Sequence, residues 1–324
     1  MECRAARFAT FFDSVRPRLA VGCRNRSDSS DAGTIDKLAV NPLAIGGRPT
    51  GPVQRKANDS TSSTDELSTM HPDLAKRFDL TGRTAIVTGG SRGLGRAMAR
   101  GFAAAGANVV IASRKIDACQ AVVDEVVVMG GRALAISVQM SEPSSVAALV
   151  DATVNEFGGI SIVVNNAATV LDRGLDALDR ESFIGAFTTN LLSPLLLIRA
   201  ARPYLAASGH GSVINIVSVA MDRSTPNRYL YPPVKAGLAQ TTRTLAVELA
   251  ADNIRVNAIS PGTFRTDMVT KAMNDVVLKR VAAATPLRRI GDPDELVGPA
   301  LLLASDAGSF ITGEVLTVDG GATA

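Results

Sequence analysis

From about residue 78 onward, the chain alternates short apolar runs with longer segments of helical periodicity. The short runs are rich in β-branched residues, as expected for buried strands, and occupy residues 84–88, 108–112, 133–137, 161–164, 212–217, 254–259 and 314–318. Helical patterns fill most of the gaps, including 143–157 and 234–250. Strands that alternate with helices form a parallel sheet. The sequence therefore predicts an α/β fold with a single doubly wound, Rossmann-type parallel sheet of about seven strands and helices on both faces.

A glycine-rich turn follows the first predicted strand. The strand is Thr84–Thr88, and Gly89, Gly93 and Gly95 come next, where a helical pattern begins. Such a turn places backbone N–H groups at a helix N-terminus, where they can bind a pyrophosphate. Because the glycine spacing differs from G-x-G-x-x-G, a tight turn without a ligand is the alternative.

A tyrosine and a lysine stand at a spacing that suits an acid–base pair. Tyr231 and Lys235 are four residues apart and would share one face of a helix, thirteen residues after Ser218. A free tyrosine has a pKa of about 10, and a neighbouring cation lowers it by favouring the phenolate. Tyr-x-x-x-Lys alone is common, and its position downstream of a glycine turn makes it informative.

Two prolines, Pro232 and Pro233, directly follow the tyrosine. Proline is tolerated in the first turn of a helix but clashes deeper inside one. We therefore expect the helix that carries Lys235 to begin close to Tyr231.

These motifs resemble those of the short-chain dehydrogenase/reductase family, in the same order over residues 78–324. The segments that carry the resemblance are Thr88–Gly95, Asn165–Ala168, Thr189–Leu191, Pro261–Gly262, Ile311–Gly313 and Asp319–Gly321. By this resemblance, the catalytic residues would be Asn190, Ser218, Tyr231 and Lys235. Tyr231 would exchange the substrate proton, Lys235 would lower its pKa, Ser218 would bind the reacting oxygen, and Asn190 would anchor a water relay.

The same resemblance implies coenzyme contacts from the glycine turn, from the ends of several strands and from the catalytic pair. The residues are Gly89, Ser91, Arg92, Gly93, Leu94, Gly95, Ser113, Arg114, Met140, Asn166, Tyr231, Lys235, Phe264 and Thr266. The chain departs from the family pattern at Ala168, which replaces a glycine, and at Gln139-Met140, which replaces Asp-Val. By this resemblance, the second change would remove the aspartate contact to the adenine, and a backbone contact could still form.

The end of the second predicted strand bears on the choice of coenzyme. An acidic residue there would bind the ribose hydroxyls of NAD and repel a 2′-phosphate. This chain has Ser113-Arg114 instead, with Arg92 in the glycine turn. Guanidinium groups suit phosphate, and in the family this combination implies NADP(H) rather than NAD(H). Ordinary solvated surface charges are the alternative for both arginines.

The predicted activity is the interconversion of a ketone and a secondary alcohol by hydride transfer. The start of the domain resembles gluconate 5-dehydrogenases and 3-oxoacyl-carrier-protein reductases, but this resemblance does not identify the substrate. Residues 219–230 and 264–285, with Met221, Arg223, Met268 and Met273, are the segments expected to shape the substrate pocket. A non-catalytic NADP(H)-binding sensor or scaffold with the same fold is the alternative function.

The first 75 residues differ in composition from the remainder. They contain scattered arginines and a polar stretch at 58–65 without apolar periodicity, which predicts a disordered leader before a domain spanning 76–324. Met70 would be a natural start if the upstream start is mis-assigned. Organelle targeting by the leader is the less favoured alternative, since Glu2 and Asp13 do not suit a transit peptide.

The composition limits which cellular compartment and which kinds of partner are expected for the protein. The three cysteines show no C-x-x-C spacing, which favours a reducing, cytoplasmic compartment. Two histidines make a histidine-based metal site improbable, and a net charge of +3 without basic runs does not indicate nucleic acid. The longest apolar stretches are broken by Pro194 and Pro299, so no membrane span is predicted. The family resemblance, with apolar helices near 191–205 and 234–250, implies a homodimer or homotetramer.

Overall fold

The computed structural model describes residues 70–170, 174–223 and 227–324. Residues 1–69, which contain most of the predicted disordered leader, lie outside the described residues, as does the 224–226 part of the predicted substrate pocket.

Seven strands and ten α-helices alternate along these ranges. The strands are β1 Thr84–Thr88, β2 Asn108–Ser113, β3 Arg132–Ser137, β4 Ile162–Asn165, β5 Gly211–Ile216, β6 Ile254–Pro261 and β7 Val315–Val318. The helices are α1 Pro72–Phe78, α2 Gly93–Ala104, α3 Ile116–Val128, α4 Pro143–Phe157, α5 Arg180–Phe187, α6 Ser193–Ala207, α7 Tyr231–Glu248, α8 Asp267–Ala272, α9 Asp275–Ala284 and α10 Val297–Ala304. Each predicted strand is present, with bounds that differ from the prediction by at most two residues.

All seven strands form one parallel sheet in the order β3-β2-β1-β4-β5-β6-β7. The order reverses direction between β1 and β4, so the connections on either side of this point lead away from each other. In doubly wound sheets a crevice opens at such a switch point, beyond the carboxyl ends of the strands. The predicted fold class is confirmed, and the strand order leads us to expect a ligand crevice at the carboxyl ends of β1 and β4.

Hydrophobic clusters cover both faces of the sheet. Ala85 and Val87 of β1 belong to one cluster, and Ile86 between them belongs to the other, because successive side chains of a strand point to opposite faces. The first cluster packs α2, α3 and α10 on the sheet, and the second packs α4 and α6. Full burial of a side chain such as Phe102 contributes about 1.5–3 kcal/mol to folding.

Two helix starts differ in how well they were predicted. The α7 helix begins at Tyr231 with both prolines in its first turn, which confirms the expected start. The α1 helix begins at Pro72, so the predicted disorder over 1–75 does not extend through residues 72–75. Proline in its first turn, Asp73 near its N-terminus and Lys76 in its last turn favour this short helix.

The α5 and α6 helices are joined by a π-helical turn, Thr188–Leu192, into one helical run. This run, Arg180–Ala207, is long and apolar enough to cross a membrane by length and composition. A helix that packs on a protein core passes the same test, and α6 contacts β4, β5 and α4. Its length therefore does not indicate a membrane span.

Candidate active site

The glycine turn between β1 and α2 requires glycine at two positions for conformational reasons. Gly89 and Gly93 have φ angles of +64° and +54°, in the left-handed region. At Gly95 space is the limit, because a Cβ atom there would overlap the Gly89 carbonyl oxygen and lie 2.5 Å from Nδ2 of Asn166. The turn is a close-packed backbone loop that side chains at these positions would push apart.

Asn166 and Thr88 fix this loop to the end of β4. The Asn166 side-chain amide donates hydrogen bonds to the carbonyl oxygens of Thr88 and Gly89 at 2.9 and 3.2 Å. The Thr88 hydroxyl donates to the Val164 carbonyl at 3.1 Å and accepts from the backbone N–H groups of Asn166 and Ala167. Thr88 was not among the predicted site residues, although its hydroxyl at the end of an apolar strand was a signal.

The first turn of α2 faces the crevice at the carboxyl edge of β1. Arg92 precedes this helix and gives no side-chain hydrogen bond to it, so the first backbone N–H groups remain available to an anion. The half-buried Ser91 and Leu94 belong to the same turn, and Leu94 packs against the first hydrophobic cluster. A pyrophosphate fits this arrangement of narrow backbone turn and helix N-terminus.

Ser113 and Arg114 lie at the carboxyl end of β2. Arg114 and Arg92 are both exposed. The Ser113 hydroxyl contacts the Cys119 sulfur at 3.1 Å, and the Ser137 hydroxyl donates to the Arg114 carbonyl at 3.2 Å. The backbone of Arg114 is thus anchored to β3, while its guanidinium group is open to solvent.

Three further predicted coenzyme residues lie at strand ends. The side chains of Met140 and Phe264 are 7% and 4% exposed and belong to the core, so any contact from them comes from the backbone. Thr266 precedes α8 beside the glycine turn, since a Cβ atom on Gly93 would lie 3.2 Å from its Cγ2 atom. The glycine turn and the loop after β6 therefore lie next to each other at the carboxyl edge of the sheet.

The predicted catalytic pair occupies the first two turns of α7. Tyr231 is half-buried, and Lys235 is 2% exposed on the side of the helix that faces the sheet. The Lys235 Nζ atom lies 5.7 Å from the centre of the Tyr231 ring and donates a hydrogen bond to the Ile216 carbonyl at 2.8 Å. The structure therefore brings the predicted tyrosine and lysine together.

Burial lowers the pKa of Lys235 from its ordinary 10.5 to about 8, because the ammonium group loses its hydration. A lysine with this pKa is still largely protonated at pH 7. The phenol of Tyr231 thus has a cation beside it at neutral pH, and a nearby cation favours a phenolate.

Ser218 and Asn190 lie on segments that pack against α7. Ser218 follows β5, and its Oγ atom accepts a hydrogen bond from the backbone N–H of Ala220 at 3.2 Å. Asn190 is buried in the π-helical turn, where its amide donates to the Ala186 and Thr169 carbonyls at 2.9 and 3.0 Å. The π-helical turn itself was not predicted, because the local sequence reads as ordinary helix.

The residues at the carboxyl edge of the sheet fit a dinucleotide. No cluster of histidine, cysteine, aspartate or glutamate that could hold a metal ion occurs among residues 70–170, 174–223 and 227–324. The narrow glycine turn, the helix N-terminus and the two exposed arginines together match the shape and charge of a phosphorylated dinucleotide.

Comparison with known proteins extends these observations. The sequence profile of a family described as enoyl-(acyl carrier protein) reductase matches residues 89–323. A 3-oxoacyl-[acyl-carrier-protein] reductase of Chlamydia trachomatis is 40% identical over 244 residues, which make up 75% of this chain and 98% of that protein.

Two solved structures share the fold. A short-chain type dehydrogenase/reductase from Mycobacterium marinum has a TM-score of 0.73 and 36% identity, over 77% of this chain and 99% of that one. A 7α-hydroxysteroid dehydrogenase complexed with NADH and 7-oxo glycochenodeoxycholic acid has a TM-score of 0.74 and 33% identity, over 76% of this chain and 96% of that one. With the glycine turn and the parallel sheet, these similarities show that the chain belongs to the short-chain dehydrogenase/reductase family and is an NAD(P)-dependent enzyme.

Proposed function

We propose that the protein is an NADP(H)-dependent oxidoreductase that interconverts a ketone and a secondary alcohol. The observation that carries the proposal is the pairing of Tyr231 with the buried Lys235 beside a dinucleotide crevice. The coenzyme, when bound, supplies or accepts the hydride. The names of the relatives support this reaction class, since one is a 3-oxoacyl reductase and another a hydroxysteroid dehydrogenase.

The proton is handled by Tyr231. In the reductive direction its phenol donates a proton to the carbonyl oxygen, and in the oxidative direction the phenolate accepts one. The Lys235 ammonium group favours the phenolate and so brings the pKa of the Tyr231 phenol closer to neutral pH. The Ser218 hydroxyl hydrogen-bonds the reacting oxygen and holds it near the phenol.

The Asn190 side chain contributes to the site through hydrogen bonds to backbone groups. Both amide protons are used by the Ala186 and Thr169 carbonyls, and its Oδ1 atom accepts from the Thr169 N–H at 3.3 Å. The side chain therefore holds the π-helical turn and the Thr169 loop together. In the proposed mechanism, this arrangement anchors the water relay that returns a proton to the site.

The preference for NADP(H) is inferred from Arg92 and Arg114. Both are exposed, and they occupy the carboxyl edge of β1 and β2, where the adenosine end of a dinucleotide binds in this fold class. The described part of this edge has Ser113 where an NAD-selective site carries an acidic residue. One neighbour is complexed with NADH, so the fold by itself does not require NADP(H) and the proposed preference depends on such side chains.

The coenzyme proposal is tested by the ratio of kcat/KM with NADPH to that with NADH. Replacing Arg92 and Arg114 with alanine should lower the ratio, and Ser113→Asp should act in the same direction by repelling the 2′-phosphate. Each lost contact would cost about 1.5–3 kcal/mol if well desolvated, and under about 1 kcal/mol if exposed. Since both arginines are exposed, we expect about tenfold for the pair. A wild type that prefers NADH would contradict the proposal.

The reaction is tested with a panel of ketones and secondary alcohols assayed with both coenzymes. We expect turnover of at least one ketone with NADPH. A wild type that binds NADPH tightly yet reduces nothing in a broad panel would instead support a non-catalytic sensor or scaffold. The half-buried Met221 and the exposed Met268 lie in the segments proposed to select the substrate.

We further propose a homodimer or homotetramer in the cytoplasm that acts on a small molecule. Exposed apolar side chains on α5 and the adjoining π-helical turn, including Phe183, Ile184 and Leu192, support self-association. A monomeric mass at micromolar concentration would contradict the assembly. The absence of C-x-x-C spacing in the sequence is consistent with a reducing compartment.

A further inference from the structure

A chain of polar side chains crosses the otherwise apolar interface between the sheet and α7. The Asn165 amide donates to Asn215 Oδ1 at 2.9 Å, and the Asn215 amide donates to Thr242 Oγ1 at 2.9 Å. The Thr242 hydroxyl in turn donates to the Leu238 carbonyl at 2.8 Å. All three side chains are buried, with exposures of 3%, 0% and 0%. We call Asn165, Asn215 and Thr242 the buried polar chain.

One end of the buried polar chain holds the catalytic helix. Asn215 directly precedes Ile216, whose carbonyl accepts the hydrogen bond from Lys235 Nζ. Thr242 lies seven residues after Lys235, two helical turns further along the same face of α7. The α7 helix is therefore bonded to the end of β5 at two points, through Lys235 and through Thr242.

The other end reaches the coenzyme turn. Asn165 is the last residue of β4 and pairs in register with Asn215 of β5. The next residue, Asn166, donates to the carbonyl oxygens of Thr88 and Gly89. The same strand end thus carries the residue that fixes the coenzyme turn and the residue that begins the buried polar chain.

Packing alone does not explain these three residues. Hydrophobic side chains of similar shape can replace a buried hydrogen-bonded pair at little loss of stability. Hydrogen bonds differ from apolar packing in that they fix direction and distance, whereas apolar contacts allow a helix to slide or rotate. A helix that carries both halves of an acid–base pair needs its position along the sheet to be fixed.

We propose that Asn215 and Thr242 are positioning residues that fix α7 against the sheet, so that Lys235 stays beside Tyr231 and in register with the coenzyme turn. The inference rests on the proposed function for its catalytic meaning. Its structural content, the position of Lys235 relative to Tyr231, can be measured without turnover.

The test compares two adjacent threonines of α7. Thr242→Val removes the acceptor of the Asn215 amide. Thr241→Val is the matched control, because Thr241 makes the same type of bond to a carbonyl four residues earlier, at 2.7 Å to Gly237, and is outside the buried polar chain. Thr242→Ser keeps the hydroxyl and should restore wild-type behaviour.

The first readout is the titration of the Tyr231 phenol by ultraviolet absorbance. The chain has three tyrosines, so the difference between a protein and its Tyr231→Phe counterpart isolates this residue. We expect Thr242→Val to raise the titration midpoint, because a displaced ammonium group favours the phenolate less. Thr241→Val and Thr242→Ser should leave it unchanged.

The second readout is kinetic. In Thr242→Val, kcat should fall about tenfold or more, since a displacement of about 1 Å in a catalytic group costs up to about 100-fold. Its KM for NADPH should stay within about twofold of wild type, because the glycine turn keeps its own bonds to Asn166. The pH profile of kcat should move to higher pH together with the phenol.

An unmoved Tyr231 titration and kcat in folded Thr242→Val would overturn the inference, as would equal changes in Thr241→Val. If Thr242→Val does not fold, the pair Asn215→Leu and Thr242→Val, which removes both partners of one bond, carries the same expectations. A wild type without turnover would count against the proposed function, whereas the titration would still decide the positioning role.

Discussion

The α7 helix, which carries the proposed catalytic pair, and the segment that follows β6 are held in different ways. Six side chains of α7 are buried, and its Lys235 is bonded to the backbone of β5. By contrast, α8 and α9 have no buried residue. Local stability follows the number of buried contacts, so α7 should open only with the whole domain and α9 should open on its own. The groups assigned to the chemistry therefore lie in a rigid region, made up of α7, the sheet and the coenzyme turn. The segment assigned to substrate selection, α8 and α9, forms an adaptable region.

Within the rigid region, the largest effect is expected for Lys235→Met. We expect kcat to fall on the order of 10²–10⁴-fold, because Tyr231 loses its cation. This is the usual rate enhancement from general acid–base catalysis. At pH 7 the variant no longer buries a charge, which should raise its free energy of unfolding by on the order of 2–3 kcal/mol. The Ile216 carbonyl loses its hydrogen-bond donor in the variant, which offsets this gain by about 1–3 kcal/mol. Steady-state kinetics measure the fall in kcat, and denaturant unfolding measures the change in stability.

The pH dependence of that difference has a definite sign. The folded-state pKa of Lys235 is about 8 and its ordinary value is 10.5, so the unfolded chain holds the proton more tightly between these values. Wild-type stability from this group should rise as the pH increases from about 8 to 10.5. The advantage of Lys235→Met should be complete below pH 8 and vanish above 10.5. A pH-independent difference would show that charge burial is not its cause.

Gly95→Ala tests the coenzyme turn, which is the other part of the rigid region. Its Cβ would overlap the Gly89 carbonyl and approach the Asn166 amide, so the coenzyme turn must open. We expect NADPH affinity to fall about 100-fold, or ~2.7 kcal/mol, by fluorescence titration. Gly298→Ala is the control, because α10 has open space there, and it should gain roughly 0.5–1 kcal/mol of stability. Tight NADPH binding by Gly95→Ala would contradict the close-packed turn.

Amide hydrogen exchange compares the two regions directly. Amides of Asp275–Ala284 should exchange at least about 100-fold faster than those in the middle of Tyr231–Glu248, because the first helix can open locally. Addition of NADPH should slow exchange mainly around Gly89–Gly95. Equal protection in the two helices would remove the proposed contrast.

The smallest effect is expected at Arg288, directly after the adaptable region. This residue has a φ of +58°, where most residues other than glycine are strained, and its guanidinium donates to the Ala283 carbonyl at 2.5 Å. Relief of strain should slightly exceed the lost bond, so Arg288→Gly should raise stability by up to about 1 kcal/mol. Arg243→Gly, in the interior of α7, should instead lose about 1 kcal/mol. Thermal unfolding of both variants shows whether each substitution raises or lowers the stability.

The sequence predicted the rigid framework better than its side-chain network. Strand runs such as Thr84–Thr88 and the helix start at Tyr231 were predicted because local pattern and proline chemistry determine them. The π-helical turn at Thr188–Leu192 was missed, since it depends on the bonds of Asn190 to a distant loop at Thr169. The bonded residues Asn215 and Thr242 are 27 residues apart in the chain, and only the fold brings them together.

The central claim is that Tyr231 transfers the proton, and the kinetics of Tyr231→Phe test it most directly. We expect kcat to fall by at least about 100-fold while the Kd for NADPH stays within about twofold, since the phenol acts in the chemical step. Tyr204→Phe, on α6, is the control and should change neither value. A Tyr231→Phe variant that keeps its kcat, or that loses activity only in proportion to lost coenzyme affinity, would contradict the account.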